Sequence, residues 1–227
     1  MIVEPIFFSP EGSFPDEVEY VVFAIVFEKE DLEELELRED ALEFNELYFG
    51  KDEYAIFKAK LNDPLYLYSF YKENEELLKA EYWKGISKER FVVDTIVSYP
   101  TIFSDFEKAF RQKTLYDLFE PLDKTDEAIR KQNEQTKRPH RLLRLKSRYG
   151  FIANRIPFRI YAIEVDIDCF IITGGAIKIV EGMRQAPNTS LELQKIEYVF
   201  KELRRAGISN KDSLLDYLYE RSSQTDN

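Results

Sequence analysis

The chain opens with two apolar runs that carry little polar interruption. Residues 2–8 and 19–27 are rich in β-branched and aromatic side chains and read as strands. The Ser-Pro-Glu-Gly-Ser-Phe-Pro segment between them reads as a turn-rich connection. Residues 30–48, rich in Glu and Leu, read as helical in part, and residues 53–59 read as a further strand. Asp63-Pro64 marks a helix start: Asp accepts from first-turn amides, and Pro at the first helical position loses nothing. That helix is expected to reach Trp83 and to bury Leu65, Leu67, Phe70, Leu77 and Leu78. Ser87 is a cap for the next helix, where Phe91, Val92, Thr95, Ile96 and Tyr99 recur at helical spacing. Pro100 is expected to end or bend it, and another helix is expected over 103–119.

Residues 121–140 are polar without a clear period and read as a long loop. Three strand-like runs follow, at 141–146, 158–165 and 170–180. A helix is expected over 190–206, with Gly207 placed to terminate it. Asp212 or Ser213 starts a short last helix, and 222–227 reads as a frayed tail. Gly174-Gly175 lies inside a strand pattern and lacks the spacing of a phosphate-cradling loop, so a bend or bulge is the expectation. Asp166 and Asp168 flank the turn between the last two strands and suit turn chemistry.

Charge changes this picture in one place. Residues 1–123 hold 13 Lys and Arg against 29 Asp and Glu, a net −16. Residues 124–184 hold 13 against 7, a net +6. Within 130–159 there are ten basic residues and one acid, Glu134, in a chain of net charge −11. Screening confines such fields to roughly 8–10 Å, so local distribution decides what binds there. Cys169 is the single cysteine and His140 the single histidine. An intrachain disulfide, a Cys-rich zinc site and a His-His metal site are thereby excluded, and no cofactor is expected. Cys169, within an apolar run, reads as a small buried hydrophobe. No apolar run reaches the roughly 20 residues that span a bilayer. The first residues lack the regions of a secretory signal. A cytoplasmic protein without membrane contact is expected.

The segment Phe158-Arg159-Ile160-Tyr161, the ending Gly174-Gly175-Ala176-Ile177-Lys178 and the run Met183-Arg184-Gln185-Ala186-Pro187 before a helix stand in a telling order. With helices at 87–119 ahead of them, they resemble the RelE/ParE-like toxins of toxin–antitoxin modules, in the HigB-like, phage-associated branch. The resemblance covers 87–205. It implies an α+β fold, a small antiparallel sheet packed by helices. Residues 1–86 would form an acidic N-terminal α/β extension, 87–209 the toxin-like unit, and 210–227 a short helix and tail. The chain departs from the family in three respects. It is about twice the usual length, it is acidic, and its lysine-rich run is thinned to Lys178, Glu181 and Arg184.

Such toxins are similar to small ribonucleases that cleave mRNA on the ribosome without a metal, protein cations stabilising the phosphorane. By that resemblance Arg159, Lys178 and Arg184 line a catalytic site and Tyr161 orients or stacks. Arg159 and Tyr161, two apart in a strand, share one face. Arg141, Arg144, Lys146, Arg148 and Arg155, interleaved with Tyr149 and Phe151, form the candidate nucleic-acid footprint. The expected partners are RNA or the ribosome, and an antitoxin or other protein. The alternative is a non-catalytic interaction or regulatory protein on the same scaffold. Its acidic N-terminal region would mask the basic face or meet a basic partner.

Overall fold

The computed structural model describes residues 1–8, 20–35, 50–79, 83, 85–122, 141–145, 158–180 and 183–225. The second apolar run forms β2 (Val21–Val26), and all six of its residues are buried. A continuous apolar strand of this kind needs cover on both faces, and β2 has it. It lies between β1 (Ile2–Phe8), which pairs with it antiparallel, and β6 (Cys169–Ile177), which pairs parallel. Antiparallel β5 (Phe158–Asp166), β4 (Arg141–Leu145) and β3 (Phe119–Pro121) follow, giving six strands in the order β1-β2-β6-β5-β4-β3.

The fold therefore mixes α and β, but its sheet is neither small nor purely antiparallel. Strands from either side of residue 86 belong to one sheet. Helices cover both faces. On the first lie α2 (Glu53–Asn62), α3 (Pro64–Glu73), α4 (Glu75–Lys79), α5 (Lys88–Arg111) and α6 (Leu115–Leu118). Their core is aromatic: Tyr54 stacks edge-on against Phe7 and Phe103, and Phe119 lies flat against Phe170. Edge-to-face and offset pairs suit the ring quadrupole. On the second face lie α1 (Lys29–Glu34), α7 (Pro187–Arg205) and α8 (Lys211–Thr225). Among the described residues no helix is long and apolar enough to cross a membrane.

Several local expectations are corrected. Residues 53–62 are helix, not strand. The Asp52 carboxylate accepts from the Ala55 amide at 2.8 Å, and Tyr54, Phe57 and Leu61 present a helical stripe to the core. Asp52→Ala is expected to cost about 1 kcal/mol, seen as a lower urea midpoint with an unchanged slope. Asp63 caps α3 as expected, but Leu65 is 79 % exposed, and the helix breaks at Asn74. Pro100 does not end its helix: α5 runs 24 residues through it. Pro100 is exposed, so the carbonyl deprived of its amide partner can turn to water. The expected second helix ends at Arg111, and only Leu115–Leu118 continues as a separate turn.

At the C-terminal end, α7 begins at Pro187, three residues earlier than the pattern suggests, and Gly207 follows it with φ 73° as its terminator. Asn210 precedes α8 and accepts from the Ser213 amide at 2.9 Å. That helix reaches Thr225, through most of the expected tail.

Candidate functional site

The bulge expected at Gly174-Gly175 is present. Tyr161 pairs with Gly174 and Ala162 with Ile172, which leaves Thr173 as the extra residue in β6. Both glycines are required by close approaches. A Cβ on Gly174 would stand 1.8 Å from Glu192 Oε2, and one on Gly175 would stand 2.3 Å from the Phe57 ring. Helices from opposite faces thus reach the β6 backbone at two successive residues.

Alternation along β5 sets where the expected catalytic residues lie. Tyr161 faces the α7 side with Ile163 and Val165, and alternation places Arg159 on that side too. Arg144 pairs in register with Tyr161. Arg144, Tyr161 and Arg159 are therefore gathered on one face of neighbouring strands. They do not line an open concavity. Arg159 and Tyr161 are each 1 % exposed, and Arg144 is 7 %. Arg159 Nη1 donates to the Phe158 carbonyl at 2.9 Å. Arg144 Nη2 meets Glu120 Oε1 at 3.0 Å across β3 and β4. Burial pushes the Tyr161 phenol above its ordinary pKa, and the Glu192 charge adds to the rise. Lys178, just past β6, is half-buried, and Arg184 lies exposed in the 3-10 turn Met183–Gln185. The side chain of Arg141, and the whole of Lys146, Arg148, Arg155 and His140, lie outside the described residues.

Asp166 and Asp168 hold a turn, as expected. Asp166 Oδ1 accepts from the Ile167 amide at 2.9 Å, and Lys211 Nζ reaches Asp168 Oδ2 at 2.7 Å. Cys169 is buried, and burial raises its thiol pKa, which leaves it protonated and inert.

A charged cluster that the sequence reading does not contain lies beside Gly174. Lys195 Nζ on α7 bonds Glu53 Oε2 on α2 at 2.8 Å and Glu192 Oε1 at 3.1 Å, and all three side chains are buried. The two helices cover opposite faces, so this contact needs a place where the sheet does not intervene. Topology supplies it. The β2–β6 ladder stops at Ala24 and Ile172, while β6 runs on to Ile177. Beyond that point the parallel pair is open, and the Phe27 ring, just past β2, lies 5.8 Å from Lys195 Nζ. Lys60, half-buried two turns along α2 from Glu53, completes the set. Lys195 and Glu192 occupy positions of the apolar α7 stripe, with Leu193, Ile196, Val199 and Leu203. Charge inside such a stripe is the sequence signal for the cluster.

Comparison with protein-family models, curated proteins and solved structures returns no match.

The electrostatics of the cluster follow from burial. Desolvation opposes the charge on Lys195, but Glu192 and Glu53 overcome it and hold its pKa above the ordinary lysine value. Desolvation pushes the Glu192 carboxyl up to about 7, against the pull of Lys195 and with a further push from Glu53. Desolvation and the Lys195 charge lower Lys60 to about 8. The Lys195 ammonium stands between the two carboxylates, where a bound cation would otherwise have to sit. A separate cavity of about 250 Å³ lies near the chain start, lined by Asp31, Glu202, Leu203, Arg205 and Tyr217 among others. Its charges are internally matched: Arg205 pairs with Glu202, and Asp31 takes the Met1 amine at 2.6 Å.

Proposed function

We propose that the protein is a toxin-like scaffold that acts by binding another protein and not by cutting RNA. The observation that carries this reading is the burial of Arg159 and Tyr161 together with the pairing of Arg144 to Glu120. A phosphate needs guanidinium N–H groups that it can reach, and a buried or acid-paired guanidinium offers none without rearrangement. The likeness to RelE/ParE-like toxins draws support from the order of elements: helices α5 and α6, then β3, β4, β5 and β6, then α7. The net −16 of residues 1–123 suits a basic protein partner. Exposed Val93 and Val97, one turn apart on α5, and Leu65 on α3 add apolar contact area of the kind that interfaces use.

A ribonuclease reading is favoured by one observation, the gathering of Arg144, Tyr161 and Arg159 on a single face. Binding of a labelled single-stranded RNA by the purified full chain separates the two. No binding is expected at 50 mM salt, and induced expression should leave growth normal. Affinity that falls steeply with salt, as counterion release requires, would overturn the proposal. So would growth arrest relieved by Lys178→Ala or Arg184→Ala. Glu120→Gln frees the Arg144 guanidinium and is expected to raise RNA affinity only if the ribonuclease reading holds.

A further inference from the structure

Among the described residues, no donor reaches the second carboxylate oxygen of Glu192. Glu192 is 4 % exposed, and its Oε2 makes no hydrogen bond. The other oxygen shares the Lys195 ammonium with Glu53. The groups facing the carboxyl are Lys195 on its own helix, Glu53 and Lys60 from α2, and Tyr161 from β5. On β6 it approaches Gly174, where the missing Cβ makes room for Oε2. A buried anionic oxygen without a donor is costly, and the smallest ligand that relieves it is a proton.

We propose that Glu192 is the proton-binding element of a latch that ties α2 to α7 through the opening between β2 and β6. With the proton bound, the cluster keeps one carboxylate, Glu53, opposite Lys195, and the helices are held together. When the proton leaves, two buried carboxylates compete for one ammonium, and α2 loosens from the sheet. The latch is independent of whether the protein binds RNA or a protein partner.

The sign follows from linkage. The closed state holds its proton more tightly than an opened, hydrated state, in which Glu192 returns toward the ordinary 4.5. Opening is therefore suppressed at low pH and grows as pH rises through about 7. One proton released with that midpoint makes the opening constant rise about tenfold between pH 6 and pH 8.

Two measurements on the full chain test this. In ¹³C-carboxyl NMR with labelled glutamate, the Glu192 resonance, assigned through bonds in the unmutated protein, should titrate near 7. A midpoint in the ordinary carboxylate range overturns the proposal. In hydrogen exchange corrected for intrinsic rates, protection of the α2 amides should fall about tenfold from pH 6 to pH 8. Glu192→Gln should abolish that fall. An unchanged pH dependence in the variant, or none in the unmutated protein, also overturns it. Both unmutated-chain measurements decide the matter even if the variant does not fold.

Discussion

Lys195→Met is expected to destabilise the folded chain by about 3–5 kcal/mol at pH 8, and by far less at pH 5. Urea unfolding at the two pH values is the measurement. Methionine matches the length of the lysine stem but leaves Glu53 and Glu192 facing each other, buried, with Lys60 as the remaining cation among the groups that act on Glu192. Removing one partner of a buried ion pair strands the other, which costs more than the pair itself contributes. The pH dependence follows from the direction of the Glu192 shift. A carboxyl whose folded pKa is raised supports stability below its unfolded value, and that support is lost as pH rises through the folded one. Acidification neutralises the Glu192 carboxylate, so the loss in the variant should be much smaller near pH 5. An equal loss at both pH values would mean that the lysine acts through packing alone.

Gly175→Ala is expected to cost about 3 kcal/mol with little dependence on pH. The new methyl would lie 2.3–2.6 Å from three Phe57 ring atoms, and a ring held in an aromatic core cannot yield as a flexible chain end can. Phe57→Leu in the same chain should recover part of the loss, because the two changes share one contact and do not add. Strict additivity of the two variants would show that the clash is relieved by movement of the backbone. Gly174 differs in kind. Its φ of 154° lies outside the range that side chains favour, so alanine there is strained even if the Glu192 carboxylate moves away.

The strands and caps were legible in the sequence for a common reason. Val21–Val26 declares a doubly covered strand through six apolar residues in a row, and Phe158–Asp166 declares its two faces by alternation. Asp63, Ser87 and Gly207 declare helix ends because a cap acts over two to four residues. Residues 53–59 misled because Tyr, Ile and Phe suit a strand as well as a helix. The Asp52 cap and the docking of Phe57 onto Gly175 decided for the helix. Pro100 does not end α5 because an exposed proline within a long packed helix loses one hydrogen bond, and the buried face on both sides of it outweighs that loss.

Residue order alone settled most of the strands and the capped helix ends, where the charge is concentrated, and that Gly174-Gly175 breaks the β6 pattern. It also placed Arg159 and Tyr161 on a common face. Only the tertiary structure decided that this face is covered, that Arg144 is held by Glu120, and that β2 runs parallel to β6. It alone brought Glu53 to Lys195, 142 residues away. The physical reason is one of range. Caps, turns and periodicity arise between neighbours in the chain, so they are written there. Burial and ion pairing depend on which distant segments the folded sheet and its helices bring within a few ångströms, and no local pattern records that.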